Sequence, residues 1–356
     1  MASFLQTRRY NIMLRRWIEN WELSIYADDL GDRRPQNFGW GLDELADLLP
    51  VQHSHLDPRT VLAEAGRELS ADGETFYEAP PPQVESFDGH RLCFVSPLPS
   101  SHAETSLASA RLFESSPGSG RAVIVIPQWN SDEGSHIQAC KILNAFGMTA
   151  LRLTLPYHEE RRPNGMLRAD PMVSPVLGQT LQEIRRAVLE VRQLVAWLSE
   201  RGYHRIGLLG SSLGSCIAYL ACAHERRIRA MTLNHAAAHF ADVVWEGLVT
   251  EHVRRSLDSH VDLPTLRQIW APISPIHFAA RLARPDLRTM VISGAYDSTF
   301  LPSHSRPLIE ALRSVGANLT RVVLPCGHYT LGRPPFYLID ACLIAGFLRR
   351  GLSKGD

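Results

Sequence analysis

The sequence predicts an α/β protein with a mostly parallel central sheet and helices on both faces. From residue 122 onward, short apolar runs alternate with helical patterns, which is typical of βαβ units. The runs at 230–233, 289–293 and 320–324 are each continuous enough to form strands buried on both faces. The 356 residues exceed what one compact core usually uses, so an appended or inserted piece is expected as well.

Residues 1–75 are predicted to form a helical extension. Asp57 followed by Pro58 has the pattern of an N-cap with proline at the first helical position. Apolar side chains recur at helical spacing at Leu14, Trp17, Ile18, Trp21 and Ile25. Such a stripe must be buried against something, so we expect the extension to cover the domain that follows.

Residues 76–356 are predicted to form the main domain. Its strands are expected at 91–95, 108–114, 122–126, 150–155, 206–209, 230–233, 289–293 and 320–324. Its helices are expected at 137–146, 184–198, 215–223 and around 308–312. Thr180 and Glu183 have the spacing of a capping box at the start of the second of these helices.

Some fifty residues separate the strands at 230–233 and 289–293. They contain helical patterns and the prolines Pro264, Pro272 and Pro275, and they are too many for a simple crossover. We therefore predict a lid-like helical insertion at about 238–284, over the carboxyl edge of the sheet.

Composition excludes several classes of protein. The 37 basic and 37 acidic residues cancel, which leaves no electrostatic footprint for nucleic acid or an acidic membrane. No apolar segment has the length of a signal peptide or of a bilayer-spanning helix. The six cysteines form no CxxC pair, which is typical of buried thiols in a reducing compartment. A cytoplasmic protein is expected.

Arginines near the N-terminus raise the question of membrane binding. Arg8, Arg9, Arg15 and Arg16 lie close to Trp17 and Trp21 in the sequence. A solvated helix face is the commoner reason for such a pattern, so membrane association is not favoured.

A sharp strand-to-helix turn is predicted at residues 210–214, GSSLG. A serine at the tip of such a turn needs strained backbone angles. Small residues at Gly210 and Gly214 let the strand and the helix approach without collision. The turn exposes the hydroxyl of Ser212, whereas Ser211 is off register and is the weaker candidate nucleophile.

A serine nucleophile needs a base and a carboxylate that orients the base. His328 lies in LPCGHY, just past the strand at 320–324, and Asp297 lies in GAYDSTFLP, just past the strand at 289–293. Parallel sheets gather ligands beyond the carboxyl ends of their strands, where both residues are predicted. Asp242 is the alternative acid, although its position in a helical run favours a structural role.

The segments GSSLG, GAYDSTFLP and LPCGHY, in this order and after successive strands, resemble the α/β-hydrolase superfamily over about residues 85–350. The resemblance implies Ser212 as nucleophile, His328 as general base and then general acid, and Asp297 as the residue that fixes the histidine tautomer. It also implies an oxyanion hole from the backbone N–H groups of Leu213 and of a residue after the strand at 122–126, where we expect Trp129. Many relatives carry His-Gly where this chain has Pro127 and Gln128.

Other reactive residues receive simpler interpretations. His235 and His239 are four residues apart, but no HExxH pattern and no third ligand accompanies them, so neither a metal nor a cofactor is expected. Cys216 and Cys326 are interpreted as small buried apolar residues. The arginines of the segment 156–162 either clamp a substrate carboxylate or pair with neighbouring glutamates.

The sequence thus predicts a serine hydrolase that acts on a small-molecule acyl substrate. It would cleave an ester-like bond, or an amide or thioester, through an acyl-enzyme on Ser212. Two alternatives stay open at this point. One is an acyltransferase on the same scaffold, and the other is a catalytically silent protein that uses the pocket for binding.

Overall fold

A nine-stranded sheet forms the centre of the protein. The structure is a computed structural model that describes residues 2–28, 33–49, 57–115 and 119–353, with side chains from residue 13 onward. The strands are β1 (Val84–Phe87), β2 (Arg91–Val95), β3 (Leu107–Phe113), β4 (Arg121–Ile126), β5 (Thr149–Thr154), β6 (Arg205–Ser211), β7 (Ile228–Asn234), β8 (Arg288–Gly294) and β9 (Leu319–Leu324). Their order in the sheet is β1-β2-β3-β5-β4-β6-β7-β8-β9.

The sheet is mostly parallel, as predicted. Strands β4 to β9 run parallel to their neighbours within that group, whereas β1, β2 and β3 pair in antiparallel fashion and β3 joins β5 antiparallel. Strand β1 was not predicted, because its four residues are mostly exposed and carry no apolar run. The expectation that every late strand is buried on both faces is wrong for β9, an edge strand with exposed side chains at Thr320, Arg321 and Val323.

Helices cover both faces of the sheet. They are α1 (Ala2–Asp28), α2 (Pro58–Ala71), α3 (Gly73–Phe76), α4 (Ile137–Ala145), α5 (Leu177–Glu200), α6 (Leu213–His224), α7 (Phe240–Glu246), α8 (Glu251–Leu257), α9 (Leu263–Ile269), α10 (Pro302–Ser314) and α11 (Phe336–Gly351). Side chains of α5, α6 and α10 belong to the core on one face. Those of α1, α4 and α11 belong to the core on the other face.

Helix α5 begins earlier than its sequence pattern predicts. Thr180 lies inside the first turn, where its hydroxyl donates to the carbonyl of Ser174 and accepts from the N–H of the same residue. Glu183 pairs with Arg186 at 2.8 Å. The predicted capping box is therefore wrong, because the helix starts at Leu177 and both side chains have other partners.

The arginines of segment 156–162 are used within the protein. Arg161 is buried and donates two hydrogen bonds, at 2.6 and 2.9 Å, to the carboxylate of Glu190 in α5. Arg162 donates to the carbonyl oxygens of Tyr157 and Leu167. The expected pairing with neighbouring glutamates is therefore wrong for Arg161, whose partner lies in a distant helix.

Helices α7, α8 and α9 fill the long connection between β7 and β8, where the insertion is predicted. Phe240, Val243 and Val244 of α7 line the cavity described below. That this connection opens as a lid stays a prediction.

Helix α1 packs on the face of the sheet that carries α4 and α11. Ile18 is fully buried there, and Leu14 and Trp21 are partly buried against the same core. Trp17 is 57% exposed, so its expected burial is wrong; its ring lies 5.1 Å from that of Trp21 instead. Arg15 pairs with Glu19 on the exposed side.

Three observations concern the predictions about membrane binding and cellular compartment. The side chains of Arg8 and Arg9 lie outside the described residues. Among the helices that the structure describes, none combines the length and the apolar character that crossing a membrane requires. All six cysteines are free thiols.

Candidate functional site

The turn from β6 to α6 carries Ser212 in a strained conformation, with φ 55° and ψ −118°. A Cβ added to Gly210 would lie 2.3 Å from the carbonyl oxygen of Gly214. A Cβ added to Gly214 would lie 2.2 Å from the carbonyl oxygen of Ile126. No side chain fits at either place, so the two glycines permit the close approach of strand and helix that this turn needs.

Ser212, His328 and Asp297 meet at the carboxyl edge of the sheet. The Oγ of Ser212 lies 3.3 Å from Nε2 of His328, and Nδ1 of His328 lies 3.4 Å from Oδ2 of Asp297. These separations are longer than those of strong hydrogen bonds. Contacts of this kind in a free site commonly tighten when substrate binds. The structure thus brings together the three residues that the sequence singled out.

Asp297 is held as a carboxylate. Its Oδ1 accepts hydrogen bonds from the backbone N–H groups of Thr299, at 2.8 Å, and Phe300, at 2.7 Å. Burial opposes ionisation, but the charges and hydrogen bonds of His328 and His235 outweigh it and hold the pKa of Asp297 well below its usual range. The group is therefore an anion over the whole physiological pH range.

The two rival residues have other partners. Asp242 forms a bidentate ion pair with Arg267, with nitrogen-to-oxygen distances of 2.6 and 3.0 Å. The Oγ of Ser211 lies 2.9 Å from Nε2 of His136. The structure does not join Asp242 to His328 or Ser211 to the relay of His328 and Asp297.

His235 is a member of the site that sequence reasoning missed. It follows β7, its Nδ1 lies 2.5 Å from Oδ2 of Asp297, and its ring centroid lies 4.6 Å from that of His328. His239, four residues further on, precedes α7 and lies near the ring of His277. The signal that could have found His235 is its place directly after β7, at the edge where the other three residues lie.

A metal ion would find one set of donors among the described residues. The ligand atoms of His235, Asp297 and His328 lie within 4.8 Å of one another. Two imidazole nitrogens and a carboxylate oxygen suit a divalent transition metal.

Opposing effects act on the imidazole of His328. Burial favours its neutral form, while the carboxylate of Asp297 and, to a smaller extent, that of Glu22 favour its protonated form. The carboxylates prevail, so the pKa of His328 lies above its usual value. The ring is thus suited to accept a proton from Ser212.

The loop after β4 and the first residue of α6 are the predicted source of the oxyanion hole. Leu213 begins α6, so its N–H has no carbonyl partner within the helix. The N–H of Asn130 donates to Nε2 of His158 at 2.8 Å and is therefore committed elsewhere. Trp129 lines the cavity beside Ser212, and its amide stays the predicted second donor.

His158 holds this loop from behind and was also missed by the sequence analysis. Its Nδ1–H donates to the carbonyl of Pro156 at 2.8 Å while Nε2 accepts from Asn130. Burial lowers the pKa of His158 to about 3, so the ring stays neutral. Ala169 adds two more bonds, because its N–H donates to Oδ1 of Asn130 and its carbonyl accepts from the indole of Trp129.

A cavity of about 830 Å³ contains Ser212 and His328. One wall is formed by α7 and the segment before β8, through Phe240, Val243, Val244 and Pro275. The opposite wall is formed by α4 and α11, through Ile142, Leu143, Ile344 and Ala345. The volume and the apolar walls are typical of a site for a small molecule.

The two cysteines near the site are protonated thiols. Burial raises the pKa of Cys216 and of Cys326, which disfavours a nucleophilic thiolate at either position. Cys326 is fully buried, as expected. Cys216 packs against the core and is partly buried, and it also lines the cavity, so it is less enclosed than expected.

Comparisons with known proteins bear on the fold. A model of the family described as "alpha/beta hydrolase domain containing 18" matches residues 134–257, the range that includes the turn at Ser212. No curated protein matches the chain. An acylaminoacyl peptidase of Pyrococcus horikoshii has a similar structure, with a TM-score of 0.58 and 12% sequence identity, over 80% of this chain and 44% of the peptidase. The protein has the α/β-hydrolase fold.

Two further proteins of known structure share this fold. Acetyl xylan esterase 1 from Thermoanaerobacterium sp. has a TM-score of 0.57 and 14% identity, over 86% of this chain and 99% of the esterase. A puromycin-hydrolyzing peptidase of Mycobacterium tuberculosis has a TM-score of 0.55 and 12% identity, over 77% of this chain and 40% of the peptidase.

These likenesses confirm the superfamily resemblance drawn from the sequence, at the level of the fold. This chain spans less than half the length of the two peptidases and almost the whole length of the esterase. Since an esterase and two peptidases share the fold, the fold does not separate ester from amide substrates.

Proposed function

We propose that this protein is a serine hydrolase that cleaves an ester-like acyl bond through an acyl-enzyme on Ser212. The observation that carries the proposal is the relay from Ser212 to His328 to Asp297, with separations of 3.3 and 3.4 Å, inside a cavity of small-molecule size. A serine, a histidine and a buried carboxylate in this order form the arrangement that activates a hydroxyl for acyl transfer.

The proposed reaction has two stages. Nε2 of His328 takes the proton of Ser212 as Oγ attacks the carbonyl carbon, while Asp297 holds the Nδ1–H side of the ring. The N–H groups of Leu213 and Trp129 bind the oxyanion that develops. His328 then protonates the leaving alcohol. Water attacks the acyl-enzyme by the same relay and releases the acid.

The walls of the cavity support a small acyl substrate with apolar groups on both sides of the scissile bond. Val244 and Ile344 belong to opposite walls, so one side can receive the acyl chain and the other the leaving group. We further propose a cytoplasmic location, which the free state of all six cysteines supports.

The first test is covalent labelling. A fluorophosphonate probe should attach to Ser212, and Ser212→Ala should abolish labelling and lower ester turnover by about 10⁴-fold or more. Ser211→Ala is the matched control and should label like the wild type, because Ser211 faces His136. Labelling that survives Ser212→Ala, or that maps to Cys216, would contradict the proposal.

The second part of the test is the choice of bond. A panel of p-nitrophenyl esters of increasing acyl length, set beside matched aminoacyl amides, should show faster turnover of the esters. Higher kcat/KM for the amides would assign the site to peptide-like bonds. Burst labelling of Ser212 without turnover would instead favour acyl transfer to another acceptor.

A further inference from the structure

Helix α1 places a carboxylate directly under the loop that carries His328. Glu22 is 2% exposed, and its Oε1 accepts a hydrogen bond from the N–H of Thr330 at 2.6 Å. Its Oε2 accepts from the N–H of Tyr329 at 3.1 Å. These two donors are the residues immediately after His328, so Glu22 binds the backbone of the loop that carries it.

The loop is shaped around this side chain. A Cβ added to Gly327 would lie 2.3 Å from Cδ, 2.5 Å from Cγ and 2.6 Å from Oε1 of Glu22. The residue before His328 must therefore be glycine as long as the glutamate is present. The N–H of Gly327 donates to Oγ1 of Thr330 at 2.8 Å, which closes the loop over the carboxylate.

Neighbouring contacts hold α1 in this position. Ile18, one turn earlier on the helix, is fully buried in the core of that face. The ring of Tyr26 lies 6.4 Å from that of Tyr329, and Arg33 donates to the hydroxyl of Tyr329 at 3.0 Å. The helix and the histidine loop are thus joined by several contacts, with the hydrogen bonds of Glu22 nearest to His328.

We propose that Glu22 is a positioning residue: by binding the N–H groups of Tyr329 and Thr330 it holds His328 in line with Ser212 and Asp297. The inference rests on the proposed function and extends it, since it makes the N-terminal helix necessary for efficient proton transfer. A carboxylate removed from water needs strong donors, and the two loop N–H groups are those donors.

Glu22 also contributes to the electrostatic field at His328. Among the described residues, the charged and titratable groups near this imidazole include Asp297 after β8, His235 after β7, Glu22 on α1, Arg33, and Tyr329 next to it in the sequence. Removing the negative charge of Glu22 makes protonation of His328 less favourable. The acid limb of the pH–rate profile, where the base must lose its proton, should then move to lower pH.

The experiment uses the full chain with Glu22→Gln and Glu22→Ala. The matched control is Glu19→Gln, which lies on the same helix but is exposed and pairs with Arg15. We expect kcat for a p-nitrophenyl ester to fall about 10- to 100-fold with KM nearly unchanged, since small misplacements of a catalytic group have effects of this size. The rate of fluorophosphonate labelling should fall in parallel, and the control should behave like the wild type.

A second variant keeps the test decisive if the Glu22 variants fold poorly. Gly327→Ala leaves the carboxylate in place but pushes it against the loop, so kcat should fall as it does for Glu22→Ala. In the Glu22→Ala background, the added Gly327→Ala change should cost little more, because the atoms it would meet belong to Glu22.

Each outcome decides the inference. If Glu22→Gln and Gly327→Ala lower the melting temperature but keep the wild-type kcat and pH profile, Glu22 is purely structural and the inference is wrong. Independent, additive effects of Glu22→Ala and Gly327→Ala would also overturn it. A wild-type protein that neither hydrolyses esters nor reacts with the probe would remove the proposed function itself, and the inference with it.

Discussion

The carboxylate of Asp297 faces two histidines rather than one. One oxygen receives two backbone N–H groups, and the other lies 3.4 Å from His328 and 2.5 Å from His235. An orienting carboxylate must remain ionised while the base takes up a proton. The surroundings of Asp297 meet this need, because each of its neighbours in the site stabilises the anion.

At the residue scale, substitutions can test whether Asp297 or Asp242 is the acid that orients His328. Asp297→Asn should lower ester turnover by about 10⁴-fold, because an amide holds the histidine in the wrong tautomer. Asp242→Asn removes an ion pair to a partly exposed arginine and should leave turnover within about two-fold. Steady-state rates and thermal unfolding of both variants are to be compared side by side. Loss of activity in Asp242→Asn at an unchanged melting temperature would refute the assignment of Asp297.

At the scale of elements, the loops that follow the strands define the site. Ser212, His235, Asp297 and His328 follow β6, β7, β8 and β9, and backbone hydrogen bonds continue the sheet into these loops. For example, the N–H of Ser212 donates to the carbonyl of Asn234 at 2.8 Å, and that of His235 to the carbonyl of Ile292 at 2.9 Å. The loops thus extend a rigid sheet, which favours precise placement of reacting groups.

The loop after β4 is held by the segment after β5, because the N–H of Asn130 donates to Nε2 of His158. We predict that His158→Phe lowers kcat about 10-fold or more, because the N–H of Asn130 loses its acceptor and the neighbouring amide of Trp129 shifts from the oxyanion position. KM should change little. His204→Phe, at an exposed histidine, is the control. A wild-type kcat in folded His158→Phe would show that this contact does not support the oxyanion hole.

At the scale of the whole molecule, α1 is attached to the rest of the fold by a narrow apolar strip and by the hydrogen bonds of Glu22. Ile18 is completely buried, while Trp17 beside it in the sequence is 57% exposed. Helix α2 packs on α9 and the turn after it, so the N-terminal region also contacts the long connection between β7 and β8. We infer that the N-terminal residues belong to the folded unit instead of forming a separate appendage.

The attachment of α1 can be tested with one pair of variants. Ile18→Ala should lower the free energy of unfolding by about 2–5 kcal/mol, as expected for a fully buried aliphatic side chain. Trp17→Ala should change it by about 1 kcal/mol or less, because the side chain is mostly exposed. Denaturant unfolding of the full chain gives both values. Equal, small effects of the two changes would mean that α1 is not docked through Ile18.

The sequence by itself determined the parallel sheet and three residues of the candidate site. The apolar runs placed the main strands to within a residue or two, and Ser212, Asp297 and His328 each follow such a run. This works because strand burial leaves a local apolar pattern and because parallel strands end at one edge. The local pattern wrongly predicted a capping box at Thr180 and burial of Trp17. Both depend on which distant residues pack against the side chain.

Only the tertiary structure decided which other residues support Ser212, Asp297 and His328. Glu22 reaches the N–H of Thr330 across 308 positions of sequence, and His158 reaches the loop at Asn130 across 28. A buried polar group must find a hydrogen-bond partner, but the identity of that partner is set by the packing of distant elements. Hydrophobic periodicity reports which face of an element is buried and carries no record of what lies against it, so neither contact could be read from the chain alone.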